Sequence, residues 1–445
     1  MIELRNIVDL ALQLATKAGV ECDVYGESRR MLQIQVHGGE LESVDDAVDA
    51  GIGIRVVDGG RVGFSFTSDL EGQGVEACID EASRNASNSS PMDADVLADP
   101  EKGEPPGEAY PAYPQDGGTE AKVEKAIEME RACLKFDSSV VNTEDAVYSE
   151  YTGDVVVAGT RGFFRGERRG YCCCSVSAIA RRGDETRSGW FYSQALHPKD
   201  IDFAGTGHRA AVLAVSLLGG EKARTKRYAV VVDGAAFTSI ISFMERILSA
   251  EMVVKGTSVL SGMLGEMVSA DGVTLIDDPF MAGGCFNACF DAEGMLTRKN
   301  TLIESGVLRG YLSDAYSSRK LGMHPGANAV RESFKARLAP GPTNLYLAPG
   351  IRSIDDIVAD LDEGIIVRDI MGMHTSDPIS GDFSVGFNGH TVRAGVVCGP
   401  VCEMTMSGNI IDLLGGIKEV AGDTTFIGPY GSPAVLVEGL SLGGT

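Results

Sequence analysis

A strand, a helix and a glycine-flanked loop follow one another near the middle of this 445-residue chain. Apolar residues occupy 228–232, and the pattern breaks at Asp233-Gly234. An amphipathic helix is predicted after the break, because one set of residues recurs at helical spacing. That set is Ile240, Ile241, Met244, Ile247, Leu248 and Glu251. With the loop 256–262, the arrangement suits an active site, yet the predicted helix contains neither histidine nor cysteine.

Alternating apolar residues predict strands through much of the chain. In the clearest hairpin, apolar residues alternate from Ile52 to Val56, the turn is Asp58-Gly59-Gly60, and the strand returns over 62–66. The 56 glycines favour tight turns and a strand-rich architecture. Helices are predicted at 3–18, 69–83, 119–134 (with Thr119 as N-cap), 201–218, 314–321 and 354–361. We therefore predict an α+β fold.

The length of the chain predicts at least two domains. We place the main boundary at the basic connector 221–227. Residues 1–220 are predicted to form a mixed α/β domain with antiparallel hairpins, in which subregions 1–85 and 119–220 are joined by the acidic, proline-rich loop 86–118. Residues 221–445 are predicted to form a β-rich domain with few packed helices.

The charge and hydropathy of the chain argue against two classes of partner, nucleic acids and membranes. A formal net charge of −24 disfavours direct binding to nucleic acid, which needs a basic surface to displace counterions from phosphates. No apolar run approaches the roughly 20 residues of a membrane helix, and no signal peptide is visible. We expect a cytoplasmic protein without a membrane partner.

Common catalytic and metal-binding motifs are missing from the sequence. No phosphate-binding glycine motif, serine-hydrolase elbow or helical zinc motif occurs. The ten cysteines have no zinc-ribbon spacing, and Cys172, Cys173 and Cys174 lie in a strand pattern that points alternate thiols to opposite faces. His324 and His374 share the context Gly-Met-His, by coincidence or as two loops of one site.

Several short motifs together resemble the TldD/TldE family, also called PmbA or "modulator of DNA gyrase" proteins. They occur in the order of the family and span the second half of the chain. The matching stretches are KGTSVLSG at 255–262, LIESGVLRGY at 302–311, YSSRKLG at 316–322, TNLYL at 343–347, SGDFS at 380–384 and the final Gly443-Gly444.

The resemblance implies a metalloprotease family, but not a zinc site in this chain. The TldD-type subunit carries a His-Glu-x-x-x-His helix before the glycine loop and a cysteine near the C-terminus, which would bind zinc while the glutamate activates water. Here the His, Glu and His positions are held by Ile241, Ser242 and Arg246, and residues 426–431 contain no thiol. An aliphatic side chain cannot ligate zinc, and a guanidinium repels it.

The S-G-D-F-S stretch at 380–384 resembles the TldE/PmbA branch, which lacks the zinc motif. The resemblance therefore implies a non-catalytic subunit without a cofactor of its own. It would pair with a TldD-like subunit that holds the zinc, and the complex would act on short or unfolded peptides.

Two alternatives remain open from the sequence. The chain could be a homodimeric peptide-binding scaffold without protease activity. It could also be a divergent metallohydrolase with other ligands, such as Glu245, Glu251, His374 or Cys402. Candidate groove or interface residues are Thr257, Ser258, Arg331, Asp382 and Ser384, whose other interpretation is ordinary loop and turn structure.

Overall fold

A computed structural model describes residues 2–99, 103 and 117–444 of the chain. Residues 100–102 and 104–116 of the predicted loop 86–118 lie outside the described part. The predicted α+β class is confirmed, since strands of two large sheets alternate with a smaller number of helices. No helix in the described residues is both long and apolar enough to cross a membrane.

The first half of the chain builds a six-stranded antiparallel sheet with strand order β3-β2-β1-β4-β5-β6. Its elements are α1 (Ile2–Ala18), β1 (Glu21–His37), β2 (Glu40–Asp58), β3 (Arg61–Thr67), α2 (Gly72–Ser87), α3 (Thr119–Leu134), β4 (Val140–Gly159), β5 (Phe163–Arg182), β6 (Glu185–Ala195) and α4 (Phe203–Ser216). The predicted hairpin at 50–66 is confirmed as β2 and β3. The predicted N-cap is wrong, because Gly118 occupies that position and helix α3 already includes Thr119.

All four helices cover one face of this sheet. Even-numbered residues of β1 point to that face: Val24 packs in a cluster with α1 and α2, and Ile34 packs in a cluster with α3 and α4. Cys172 and Cys174 are buried on the helix side, whereas Cys173 between them is only half-buried. The opposite face of the sheet carries charged residues and meets the second half of the chain.

Helices α3 and α4 approach closely at Gly207, where a Cβ atom would lie 2.0 Å from the carbonyl oxygen of Met129. We expect Gly207→Ala to lower the free energy of unfolding by about 1–3 kcal/mol, because backbone must move to admit the methyl group. Thermal or urea unfolding measures the loss. The matched control is Gly415→Ala in another helix, where nothing lies within 4 Å of the new Cβ. The control should be neutral or stabilise by up to about 1 kcal/mol; equal losses in both variants would contradict the prediction.

The second half of the chain contains a larger, mixed sheet and five helices among its described residues, four of them short. Its elements are β7 (Lys226–Val232), α5 (Gly234–Leu248), α6 (Ala250–Val254), β8 (Leu275–Asp277), β9 (Asn300–Glu304), β10 (Val307–Leu308), α7 (Ala315–Leu321), β11 (Ala329–Val330), β12 (Ala339–Pro340), β13 (Leu345–Leu347), α8 (Ile354–Ala359), β14 (Glu363–Met371), β15 (Asp382–Arg393), β16 (Val396–Asn409), α9 (Ile410–Gly415), β17 (Ile417–Ile427) and β18 (Tyr430–Gly443). The short helix α9 has no counterpart among the predicted elements.

Five strands of this sheet close into a ring. Strand β7 pairs with β14 in parallel, β14 with β15, β15 with β16, β16 with β18, and β18 with β7 again. Helix α5 belongs to the same apolar cluster as these strands, and Ile240, Ile241, Met244, Ile247 and Leu248 are all buried in it. The helix ends at Leu248, so the predicted extension of the stripe to Glu251 is wrong; that residue lies on the separate helix α6.

A buried ionic cluster joins the two sheets. Arg55 on β2 bonds to Asp23 on β1 and to Glu293 in the segment between β8 and β9, with 2.9 Å between the Arg55 Nη2 and Glu293 Oε1 atoms. Arg331 has no exposed side-chain surface and lies 3.4 Å from Asp23. Phe334 packs beside these charges, with its ring against Gly51 and its backbone against Gly53. The ionic cluster and the packing of Phe334 together fix the position of the first sheet relative to the ring of strands.

Candidate functional site

A cavity of about 980 Å³ lies between the two halves of the described chain. One wall is strand β6 with helix α4, and the other is helix α5 with the ends of ring strands. Its lining includes residues 188–192 of β6; Arg209, Val212 and Leu213 of α4; Asp233 and, on α5, Ser239, Ser242, Phe243 and Arg246; residues 368–370 and 372–374; His390; and Thr425, Ile427 and Tyr430. The cavity therefore combines an aromatic strand edge with the polar face of α5.

Helix α5 presents two different faces because its apolar and polar residues segregate at helical spacing. Asp233 caps the helix by accepting the Ala235 N–H at 3.2 Å, which fixes its start at the end of β7. Ser242 and Arg246, four residues apart, line the cavity, whereas Ile241 is fully buried on the other side. Of the three positions expected to correspond to the family's zinc motif, two thus face the cavity.

Tyr430, at the start of β18, connects the helix to the last hairpin of the chain. Its hydroxyl group donates a hydrogen bond to the Glu245 carboxylate. Burial raises the pKa of Glu245, and the bond from Tyr430 opposes that shift. Burial also raises the pKa of Tyr430, while a hydrogen bond with Ser242 lowers it. The region 426–431, expected from the resemblance to carry a thiol in a TldD-type subunit, therefore places a phenol against α5.

The charged groups of the cavity are not all paired. Arg368 forms a salt bridge of 2.6 Å with Asp233. Arg246 donates a hydrogen bond to the His374 carbonyl at 3.3 Å, and Arg209 lies over the Phe191 ring at 5.1 Å from its centroid. Neither Arg246 nor Arg209 has a salt bridge to a described carboxylate.

His390 is a buried polar group on the cavity wall. Its Nε2 atom lies 3.0 Å from the Ser216 carbonyl, so Nε2 carries the proton of that hydrogen bond. The Nδ1 atom is buried and has no hydrogen-bond partner among the described residues. Burial lowers the pKa of this histidine, which favours the neutral ring with Nδ1 as an unused acceptor.

None of the five candidate groove residues from the sequence lines this cavity. The Ser258 hydroxyl donates to the Ile247 carbonyl at 2.5 Å, and Thr257 bonds to the Met252 carbonyl at 3.2 Å, so both hold the loop after α6. Asp382 accepts from Asn409 across the β15–β16 pair, and Ser384 is exposed on β15. Arg331 is enclosed in the ionic cluster between the two sheets.

The sequence did not single out Trp190, Tyr192, Arg209 or Arg368 of the cavity. Trp190 and Tyr192 stack with 5.9 Å between ring centroids, and both line the cavity together with Arg209 and Arg368. These residues are distant in sequence from α5 and carry no motif. Alternation along β6 could have placed Trp190 and Tyr192 on one face, but not beside α5.

The residues of the alternative metal site have other contacts. Glu251 forms an exposed pair with Lys255, and the Cys402 thiol donates to the Leu217 carbonyl at 3.5 Å. His374 lines the cavity, whereas His324 contacts Arg298. Within residues 2–99, 103 and 117–444, no three His, Cys, Asp or Glu side chains cluster in a way that could hold a metal ion.

The residues at the expected zinc position do not fit a zinc ion. Zinc requires about four nitrogen, sulfur or carboxylate ligands in tetrahedral arrangement. The cavity face of α5 offers a serine hydroxyl from Ser242 and a cationic guanidinium from Arg246, and Glu245 is engaged by Tyr430. This set would repel a dication rather than bind it.

Family models and relatives of the same family match nearly the whole chain. Family models described as PmbA/TldA metallopeptidase domain 1, central domain and C-terminal domain match residues 22–86, 113–218 and 225–444. A Metalloprotease PmbA homolog of Haemophilus influenzae is 27% identical, with 99% of this chain and 96% of the relative covered. Metalloprotease PmbA of Escherichia coli O157:H7 is 25% identical, with 94% and 91% covered.

Solved structures show the same fold. A putative modulator of a DNA gyrase from Thermotoga maritima superposes with a TM-score of 0.90 at 28% identity, covering 98% of this chain and 99% of that one. TldE from Thermococcus kodakarensis superposes with a TM-score of 0.88 at 22% identity, covering 99% and 100%. The matches to all three family domains show that this chain belongs to the PmbA/TldD metallopeptidase family.

Proposed function

We propose that this chain is the TldE/PmbA-like, non-catalytic subunit of a two-component, cytoplasmic metallopeptidase that acts on short or unfolded peptides. The observation that carries the proposal is the polar face of α5. Ser242 and Arg246 face the cavity where a zinc-binding helix would present ligands, and Ile241 is buried in the core. A TldD-like partner would supply the zinc and the catalytic glutamate.

The cavity supports a role in holding peptide substrates. Strand β6 is the edge of the first sheet and pairs only with β5 among the described residues. Five consecutive residues of this edge, 188–192, line the cavity. An extended peptide can add to such an edge through its backbone, largely independently of its sequence, which suits a subunit that handles unfolded chains.

Reconstitution with the partner tests the proposal. We expect this chain alone to cleave no peptide, with or without added zinc, and the mixture with a TldD-like subunit to cleave peptides and lose activity on chelation. The matched control is the same mixture with a TldD-like subunit whose zinc-site glutamate is replaced by glutamine, which should be inactive. Chelator-sensitive cleavage by this chain alone would refute the proposal, as would failure of the two chains to associate.

A homodimeric peptide-binding scaffold is the second candidate. It is favoured by one observation, that the strand edge 188–192 and the aromatic and basic side chains beside it all belong to this chain. Light scattering and pull-down distinguish the candidates, since a scaffold would form a stable homodimer and bind peptides without recovering a TldD-like chain.

The chain's net charge bears on the name of the similar Thermotoga maritima structure, a putative modulator of a DNA gyrase. At −24, the chain lacks the electrostatic attraction that DNA binding requires. Any effect on gyrase would then pass through proteolysis of another protein rather than through contact with DNA.

A further inference from the structure

We infer that the cavity between β6 and α5 recognises a carboxylate group of its peptide ligand through Arg246 and Arg209. Only the premise that the ligand is a peptide rests on the proposed function. It assigns a ligand chemistry to a helix position where the family's metal-binding residues would stand.

The unpaired arginines are the first support. Asp233 and Arg368 neutralise each other on the cavity wall. Arg246 donates a hydrogen bond to the His374 carbonyl and interacts electrostatically with Asp377 without forming a salt bridge, and Arg209 lies over the Phe191 ring. The chain carries 63 acidic residues against 39 basic ones, yet it places no described carboxylate within salt-bridge distance of either arginine. Their guanidinium groups therefore remain available to an acidic ligand.

The surroundings of the arginines are the second support. Trp190, Tyr192, Phe243 and Ile427 line the same cavity, while Arg209 and Arg246 are themselves exposed to solvent. A peptide that fills the cavity would displace water from these arginines, and electrostatic attraction and hydrogen bonds strengthen where water is excluded. Arginine is also suited to carboxylates, because its planar fork can donate two parallel hydrogen bonds to the two oxygens. A peptide with an apolar side chain beside a carboxylate matches both features.

The carboxylate can come from the C-terminus of the peptide or from an acidic side chain. Four probes without tryptophan separate these sources. They are acetyl-alanyl-leucyl-leucine as the free acid, the same peptide as its amide, and two amidated peptides that end in glutamate and in glutamine. The glutamate peptide carries the charge only on its side chain.

Trp190 provides the readout, because it is the only tryptophan of the chain and is 47% exposed at the cavity. We expect at least one carboxylate peptide to change the tryptophan fluorescence saturably and to bind about 10- to 100-fold more tightly than its uncharged match, as charge-assisted hydrogen bonds imply. A preference for the free acid identifies the C-terminus, and a preference for glutamate over glutamine identifies the side chain.

Variants of the full-length chain link the preference to the two arginines. Arg246→Gln and Arg209→Gln should each weaken binding of the preferred peptide, and the double variant should bind it no better than its uncharged match. Arg309→Gln, an exposed arginine outside the cavity, should leave the affinity unchanged. Circular dichroism and thermal unfolding verify that each variant is folded.

Several outcomes would overturn the inference. These are absence of binding by all four probes, equal affinity for charged and uncharged peptides, or an unchanged preference in the double variant. The titrations use the isolated chain and need no cleavage. Failure of the reconstituted protease together with carboxylate-selective binding would therefore reject the proposed function while the inference stands.

Discussion

Replacing Arg55 with methionine should lower the free energy of unfolding by about 3–5 kcal/mol, the usual cost of removing one partner from a buried ionic cluster. The Asp23 and Glu293 carboxylates that bond to Arg55 would stay buried without their main counter-charge. Arg331 would remain near Asp23 at 3.4 Å, but it does not bond to Glu293. Urea unfolding followed by far-ultraviolet circular dichroism measures the loss.

The pH dependence of this loss provides a second readout. Burial raises the pKa of Glu293 to about 7, while Arg55 lowers it. A carboxyl whose pKa is higher in the folded state than in the unfolded state stabilises the folded protein at low pH. That contribution is lost as the pH rises from the unfolded pKa to the folded pKa. Without Arg55 the pKa of Glu293 rises further, so Arg55→Met should cost more at pH 8 than at pH 5.

The matched control is Arg30→Met, which breaks an exposed ion pair with Asp46. Exposed pairs contribute about 0–1 kcal/mol, so the control should unfold almost as the parent protein does. Adding Glu293→Gln to Arg55→Met should recover part of the stability, because Glu293 then carries no unpaired charge while Asp23 keeps Arg331 as its partner. Similar losses for Arg55→Met and Arg30→Met would show that the buried cluster does not hold the two sheets together.

Replacing Phe334 with alanine should cost about 3–5 kcal/mol through the cavity left behind. The Phe334 ring is fully buried and packs on the first sheet at Gly51, where a Cβ atom would lie 2.2 Å from the ring. It also meets the Phe66 ring edge-on, with 6.3 Å between centroids. The variant should therefore weaken the contact between the two sheets, and limited proteolysis should cut the segment around it faster.

Two further substitutions sharpen this prediction. Phe280→Ala removes a ring that is 41% exposed and should cost less than about 1 kcal/mol. Gly51→Ala adds a methyl group where the Phe334 ring lies. It should therefore cost more stability when made in the parent protein than when made in the Phe334→Ala variant, where the ring is absent. Additive losses from the two changes would mean that Gly51 and Phe334 do not share one packing site.

Periodicity was sufficient to predict the elements that carry their own pattern. Helices α1 and α3 match the predicted ranges within a residue because apolar residues mark their buried faces, and the hairpin turn at Gly59 and Gly60 follows from its sequence. Helix α2 begins at Gly72 rather than at 69, since Asp69 and the residue after it form a turn before the helix. Strand β1 also includes 28–31, where polar residues interrupt the alternation of apolar ones that would have indicated a strand.

The cavity could not be predicted in the same way. Its walls bring together Trp190, Arg209, Arg246, Arg368 and Tyr430, which meet only after two sheets have formed and packed. No local sequence pattern indicates that β6 lies beside α5. Arg331 was expected at a groove or interface but is enclosed, because it pairs with Asp23, about 300 residues away in sequence. The family motifs located α5 as the region of interest, and the long-range contacts decided which side chains surround it.

Closure of the ring by β18 has a consequence for synthesis of the protein. Strand β7 finds its β18 partner only after residues 435–442 have been made. At about 5–20 residues per second, the roughly 200 intervening residues take on the order of 10–40 s. During that interval the nascent chain exposes the apolar faces of β7 and α5, while the first sheet already has all of its strands. A chaperone that acts during translation would therefore have its longest opportunity at the second half of this chain.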